Sequence, residues 1–167
     1  MLFRSPYYLT TDLMNLLLSS AMPVQSINLM VQKEAAQRMV ARPGAEGYGL
    51  LAVKAQYFYD PVIALDVPAC LFTPPPKVDS AFVVMPRRAA PPVEARDEAL
   101  FFKVAAAAFA MRRKTMENNL IASFRLSREQ ARGLLAQCGI PDGVRGETLS
   151  MADFAALANA ITETNAE

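Results

Sequence analysis

The sequence contains no histidine, and its only two cysteines, Cys70 and Cys138, stand far apart. Without imidazole there is no histidine general base, so any catalysis must rely on other groups. Isolated thiols beside carboxylates also make a poor zinc site, because zinc takes closely spaced Cys and His ligands. We therefore expect neither a metal site nor histidine-based chemistry.

Long apolar runs are also missing. No stretch reaches the roughly 20 apolar residues of a transmembrane helix, and the first residues lack the charged and apolar regions of a signal peptide. The composition, 53% hydrophobic and 20% charged with a net charge of +1, is that of an ordinary globular protein. The sequence predicts a soluble cytoplasmic protein with no membrane partner, and only a local charge cluster can indicate another partner.

A proline-rich segment at residues 87–96 is typical of a linker and divides the chain into two predicted parts. In residues 1–86, helix and strand patterns alternate, which predicts an α/β sheet with strands of the buried parallel type. The predicted strands are Ser26–Val31, Val62–Val67, Val78–Met85 and a stub at Met1–Phe3. One predicted helix follows Thr11-Asp12, and two others cover Lys33–Arg42 and Gly49–Gln56. So few strands leave one flank of the sheet uncovered, which indicates a partial sheet.

Residues 97–167 read as helical throughout. An alanine-rich helix is predicted over Leu100–Met111, Ser127 opens a second helix with a capping box, and Ser150 caps the last one. This pattern predicts a small helical bundle of about four helices. The fold class is therefore α/β, a partial sheet followed by an all-α domain.

Two aromatic segments are candidates for holding a flat ligand. Pro6-Tyr7-Tyr8 follows the strand stub, where ligands bind in α/β folds, and its rings could stack on a base. The alternative is a structural turn with buried rings. Phe72 begins the segment Phe-Thr-Pro-Pro-Pro-Lys-Val-Asp-Ser, whose three prolines would present it on a stiff support. Phe72 as core filler in a turn between strands is equally open.

The third candidate is the basic run Arg112-Arg113-Lys114. Seven basic residues and two acids lie between Leu100 and Arg132, a local charge of +5 in a chain of +1. Such a concentration suits a phosphate backbone, although cations also favour helix C-termini without any partner. A helix-turn-helix DNA-binding unit over residues 127–163 is a weaker alternative, since Asp142, Glu147 and Asp153 oppose it.

In this order, the motifs resemble one family. They are Pro-Tyr-Tyr, Val-Gln-Lys-Glu at residues 31–34, the proline-rich segment at residues 72–80, Phe-Ala-Met-Arg-Arg-Lys-Thr at residues 109–115 with Asn118-Asn119, and Arg145-Gly-Glu. Together they are similar to the small-subunit ribosomal RNA adenine N6-dimethyltransferases, the methylases of the kasugamycin-resistance type. The resemblance implies a Rossmann-like methyltransferase sheet in residues 1–86 and an rRNA-binding helical domain in residues 97–167.

The resemblance also implies a mechanism. An unstacked adenine of small-subunit rRNA would attack the methyl group of S-adenosylmethionine directly, with the Pro6 carbonyl accepting from the adenine amine and Tyr7 and Phe72 clamping the base. Arg112, Arg113 and Lys114 would dock the helical domain on rRNA or on a precursor of the small ribosomal subunit.

Three departures set this chain apart from the family pattern. Arg4 stands where the family has the catalytic Asn, and a guanidinium cannot accept the hydrogen bonds of the amine. Leu50 replaces a usual Arg. The glycine-rich donor-binding loop and the acidic ribose-binding residue belong before Met1, so we expect an N-terminally truncated, inactive chain without its own cofactor-binding residues. The alternative is a non-catalytic rRNA or ribosome-assembly binding module.

Overall fold

The structure is a computed structural model that describes residues 24–164. The predicted strand stub, the first predicted helix and the residues Arg4, Pro6 and Tyr7 lie outside the described residues. The described chain forms two compact units, one built from residues 24–41 and 54–91 and the other from residues 42–53 and 92–164. The chain passes between the units three times, and the last passage, between residues 91 and 92, lies within the segment predicted as a linker. The sequence did not indicate that residues 42–53 group with the helical unit.

The first unit contains a three-stranded sheet made of β1 (Ser26–Gln32), β2 (Val62–Val67) and β3 (Ser80–Pro86). β3 lies in the middle and pairs antiparallel with both neighbours, so β1 and β2 run parallel without touching. The α/β organisation is as predicted, but the expectation of neighbouring parallel strands was wrong. β2 and β3 are joined by a loop without an α-helical crossover, and a connection of that kind returns the chain antiparallel.

Among the described helices, α1 (Lys33–Val40) makes the main contact with this sheet. It follows β1 directly and packs against all three strands, burying Ala36 and Met39. Its last carbonyls lack helical partners, as at every helix C-terminus. The Gln56 amide satisfies two of the nearby carbonyls by donating to Met39 O at 3.0 Å and Ala41 O at 2.8 Å. Gln56 belongs to α2 (Leu50–Phe58), within which the boundary between the two units falls.

The second unit is the predicted helical bundle. It contains α3 (Glu98–Ala110), α4 (Met116–Phe124), α5 (Arg128–Gln137) and α6 (Met151–Thr164). α3 packs against α4 and α6, and α5 packs against the same two helices. Its largest fully buried side chains are Phe101, Met116, Leu120, Leu135, Phe154 and Leu157.

Short polar side chains fix where these helices begin. Asp97 caps α3 by accepting from the Leu100 amide at 3.0 Å. Ser127 and Gln130 form the predicted capping box of α5, and Ser150 accepts from the Asp153 amide at the start of α6. These bonds satisfy amide groups that a helix leaves unpaired at its first turn. The predictions for Ser127 and Ser150 are therefore confirmed.

Candidate functional site

Phe72 lies in the loop between β2 and β3. A short 3-10 turn at Ala69–Leu71 precedes it, and the Phe72 amide donates to Ala69 O at 3.2 Å. Asp79, at the far end of the loop, accepts from the Ala69 amide at 2.9 Å. The loop is thus closed on itself by hydrogen bonds. Phe72 is half-buried, whereas its neighbour Leu71 is 71% exposed, so an apolar surface remains beside the ring.

Two of the sequence motifs meet in a cleft of the first unit. Residues 32–34, at the junction of β1 and α1, face residues 77–79, at the end of the proline-rich segment, across a space of about 400 Å³. The Lys33 amide donates to Asp79 O at 3.0 Å and joins the two sides. Gln37 completes the lining from the next turn of α1. Two motifs that are separate in the sequence therefore contact each other in the fold.

Lys33, which lines this cleft, forms an ion pair with Asp66 of β2. Its Nζ lies 2.8 Å from Asp66 Oδ2. This hydrogen bond, together with the charge of Asp66, raises the pKa of Lys33 above its ordinary value. Lys33 therefore stays charged at neutral pH and acts as a tether between α1 and β2, not as a base.

The basic run forms the turn between α3 and α4. Arg112, Arg113 and Lys114 are all exposed, and the Lys114 amide closes the turn by donating to Met111 O at 2.9 Å. Thr115 then caps α4 by accepting from the Asn118 amide and side chain. The three cations therefore lie directly before the N-terminus of a helix, whose dipole adds positive potential.

The fully buried side-chain amide of Asn119 supports this turn. Asn119 has no exposed surface, accepts from the Met111 amide at 3.2 Å and donates to Ala108 O at 3.2 Å. It thereby satisfies one carbonyl in the last turn of α3, which has no helical partner, and the amide of Met111 directly after the helix. The sequence motif contained Asn118-Asn119, but the supporting role of Asn119 was missed. Its partners are backbone atoms eight and eleven residues away, which a motif does not reveal.

The segment before α6 supports the turn from a second side. Val144 O accepts from the Met116 amide at 2.7 Å, and Thr115 and Arg145 form an antiparallel bridge. Gly146 follows and lies against the end of α3, where a Cβ atom would come within 2.2 Å of Ala108 O. Only glycine allows this approach. Arg112 and Glu147 are 4.0 Å apart, a long and exposed pairing.

The seven basic residues of the predicted cluster differ in their surroundings. Lys103 lies over the ring of Phe124, and two arginines of α5 pair with an acid. Within the described part of the chain, Arg113, Lys114 and the exposed Arg125 form no ion pair. The turn before α4 therefore carries charge that is available to an external anion, and RNA binding by Arg112, Arg113 and Lys114 stays a prediction.

Tyr48 anchors residues 42–53 within the second unit. It is buried, its hydroxyl donates to Leu149 O at 3.1 Å, and its ring meets Phe109 edge-on at 5.5 Å. Burial, with a contribution from the charge of Asp153, raises the pKa of Tyr48 to about 12. The hydroxyl is therefore a fixed hydrogen-bond donor, not a proton shuttle at neutral pH.

This pKa predicts how stability depends on alkali. Because the pKa of Tyr48 is about 12 when folded and 10.0 ordinarily, the unfolded chain loses this proton first, and the free energy of unfolding falls as pH rises between those values. Tyr48→Phe should cost about 1 kcal/mol at neutral pH, since Leu149 O loses its donor. It should also flatten the fall above pH 10, measured by urea unfolding at several pH values. Parallel curves for both proteins would contradict this role of Tyr48.

Other reactive groups offer little chemistry in the described residues. Burial and the charges of Asp153 and Glu163 raise the pKa of the Cys138 thiol, which keeps it in the poorly nucleophilic protonated form. Between residues 24 and 164, no group of acidic or thiol side chains could hold a metal ion. No described helix is long and apolar enough to cross a membrane.

Comparison with known proteins decides the family. The ribosomal RNA adenine dimethylase profile matches residues 4–163, nearly the whole chain. The chain belongs to this family. A protein named ribosomal RNA small subunit methyltransferase A from Geobacillus thermodenitrificans is 42% identical over 159 residues, covering 93% of this chain and 54% of that protein. Its namesake from Lactococcus lactis is 44% identical over 157 residues, covering 93% and 53%. The chain thus spans about half the length of these two relatives.

Two solved structures share the fold. A dimethyladenosine transferase from Plasmodium falciparum superposes with a TM-score of 0.79 at 20% identity, covering 97% of this chain and 66% of that one. The 23S rRNA methyltransferase ErmE superposes with a TM-score of 0.67 at 21% identity, covering 95% and 63%. These neighbours confirm the predicted fold class, a partial Rossmann-like methyltransferase sheet followed by a small all-α part.

The described residues do not fit the methyl donor of this family of dimethylases. A donor-binding loop in such a sheet is a glycine-rich turn after a strand. β1 passes into α1 without an intervening residue. The Gly-x-Gly among the described residues, Gly47–Gly49, precedes α2 and follows no strand, and its Tyr48 is buried. Residues 24–164 therefore supply no binding loop for the donor.

Proposed function

We propose that this chain is the base-clamping and RNA-docking portion of an S-adenosylmethionine-dependent rRNA adenine N6-dimethyltransferase that acts on small-subunit rRNA. Membership of the adenine dimethylase family supports the reaction class. The observation that carries the docking role is the exposed turn Arg112-Arg113-Lys114, held by the buried Asn119. A basic surface on a rigid support suits a folded RNA, because its backbone presents a fixed array of phosphates.

The base clamp is the second part of the proposal. Phe72 would stack on the target adenine from the closed loop between β2 and β3, with Tyr7 on the other face and the Pro6 carbonyl accepting from the amine. Stacking of this kind contributes about 1–3 kcal/mol per base. In support, Asp79 pins the Phe72 loop and Leu71 leaves apolar surface beside it. The first 86 residues would belong to the methyltransferase domain and residues 97–167 to the rRNA-binding domain, acting in the cytoplasm.

Because the described residues do not fit the donor, we expect the 167-residue chain alone to bind no S-adenosylmethionine. Calorimetric titration of the donor into the chain should give only the heat of dilution. A saturable heat would contradict this expectation and would make the chain a complete methyltransferase site.

A chimera tests the reaction itself. The residues that precede the matched region in the Geobacillus thermodenitrificans relative would be placed ahead of this chain, once with Arg4 and once with Arg4→Asn. We expect methyl transfer to adenines of the small-subunit particle from the Asn form. The Arg form should be slower by about 100-fold or more, because the group that accepts from the adenine amine is missing.

The second candidate function, a non-catalytic rRNA or ribosome-assembly module, is favoured by Arg4 itself, which has donors where an acceptor is needed. It predicts that the chain binds rRNA and that the Arg form of the chimera transfers no methyl groups, whatever the Asn form does. Slow but measurable transfer by the Arg form would therefore exclude this candidate, and equal transfer by both forms would contradict the role assigned to position 4.

A further inference from the structure

One acidic side chain in the second unit holds two arginines of another helix. Glu117, in the first turn of α4, has a side chain that is only 11% exposed. Its Oε1 lies 2.9 Å from Arg128 Nη1 and 3.4 Å from Arg132 Nε, while those two side chains are 61% and 57% exposed. The carboxylate is thus buried beneath two cations that reach solvent.

The charge balance of this cluster favours a further anion. Two guanidinium groups share one carboxylate, so the cluster carries a net charge of +1. Each guanidinium has five N–H donors, and one carboxylate oxygen can occupy few of them. Arg128 and Arg132 are four residues apart on α5, so their like charges would repel without the acid between them. Glu117 therefore fixes two side chains that otherwise move freely.

The cluster is continuous with the docking turn in the same unit. Glu117 is three residues after Lys114, and only the helix cap Thr115 and the buried Met116 separate them. Arg128 and Arg132 therefore contact the first turn of α4, the helix that begins directly after the basic turn Arg112–Lys114.

We propose that Arg128 and Arg132 of α5 bind phosphates of the RNA, with Glu117 as the positioning residue that holds both guanidinium groups in place. This extends the docking surface from the turn Arg112–Lys114 to the helix α5, and it rests on the proposed rRNA-docking function. Arginine suits this task because its planar fork binds phosphate bidentately, whereas lysine is a point charge.

Salt dependence of RNA binding tests the proposal. The probe is a transcript of small-subunit rRNA, and the variant is E117Q/R128Q/R132Q, which removes both cations without leaving a buried unpaired charge. The slope of log affinity against log salt falls by roughly 0.7–0.9 for each phosphate that the protein no longer neutralises, so two phosphates predict a change of about 1.4–1.8. The matched control, R38Q/R96Q/E163Q, also removes two exposed arginines and one acid. It should keep the wild-type slope.

Two further variants separate positioning from mere charge. The variant R128K/R132K keeps both charges and should keep the salt slope. It should bind the transcript several-fold more weakly, because lysine cannot bind a phosphate bidentately as arginine does. E117Q keeps both arginines but removes the carboxylate that holds them in place. It should therefore reduce the preference for the rRNA transcript over a scrambled transcript of equal length. If Glu117 is only structural, that preference stays at its wild-type value, and the positioning role is overturned.

The outcomes also distinguish this inference from the proposed function. If the triple variant and its control show the same slope while Arg112–Lys114 substitutions weaken binding, only the role of α5 is wrong. If the wild-type chain binds no rRNA, the docking function fails, and the role of α5 fails with it. Circular dichroism of each variant establishes that the helices are retained.

Discussion

Gly146→Ala should lower the free energy of unfolding by about 3 kcal/mol, the upper end of the usual cost of overpacking, because its neighbours are rigid. The new Cβ would lie 2.2 Å from Ala108 O and 2.7 Å from both the carbonyl carbon and the Cβ of Ala108. Backbone atoms of a packed helix cannot move aside as a flexible side chain can. The decrease should appear as a lower urea midpoint with an unchanged slope.

The chain offers a matched control in Gly133. It lies inside α5, is exposed, and a Cβ there meets nothing within 4 Å. Gly133→Ala should therefore stabilise the protein by about 0.5–1 kcal/mol, since alanine favours helix more than glycine does. If Gly146→Ala proved as stable as Gly133→Ala, the close approach between α3 and the segment before α6 would be wrong.

The second large effect concerns RNA affinity. Replacing Arg112, Arg113 and Lys114 together with alanine should weaken binding to a small-subunit rRNA transcript by roughly 100-fold at 0.1 M salt, because three phosphates keep their counterions instead of releasing them. The salt slope should fall by about 2–3. Filter binding over a salt series measures both quantities. Stability should change little, since all three side chains are exposed.

A reduction in overall charge must be separated from the removal of a site. The variant R38A/R42A/R96A removes three other exposed arginines and changes the net charge equally. It should retain wild-type affinity within a few-fold. Equally weakened binding by both variants would indicate a diffuse charge effect, and unchanged binding by the first would remove the docking role of the turn.

Local features of the sequence were sufficient for much of the fold. The caps at Ser127 and Ser150 depend on residues three positions apart, and the strand Val62–Val67 depends on a short apolar run. The strand order was not predicted, because no local pattern in the sequence shows that β3 lies between β1 and β2. The placement of residues 42–53 was missed because it depends on contacts with residues about 100 positions away, the Tyr48 hydroxyl with Leu149 O and the Gly44 amide with Glu147 O.

The candidate site divides in the same way. The exposed charge at Arg112–Lys114 could be predicted, because three consecutive basic residues are unusual in a chain of net charge +1. The features that shape it could not: Asn119, Glu117 and Gly146 act through contacts between segments distant in the sequence. The roles of Pro6 and Tyr7 remain predictions from the family resemblance, because both lie outside the described residues.

The central claim is that this chain carries the RNA-docking surface of an adenine dimethylase. It is tested most directly by binding of the 167-residue chain to a small-subunit rRNA transcript between about 50 and 200 mM salt. We predict saturable binding that weakens steeply with salt and exceeds binding to a scrambled transcript of equal length. Absence of binding, or affinity that does not change with salt, would contradict the claim.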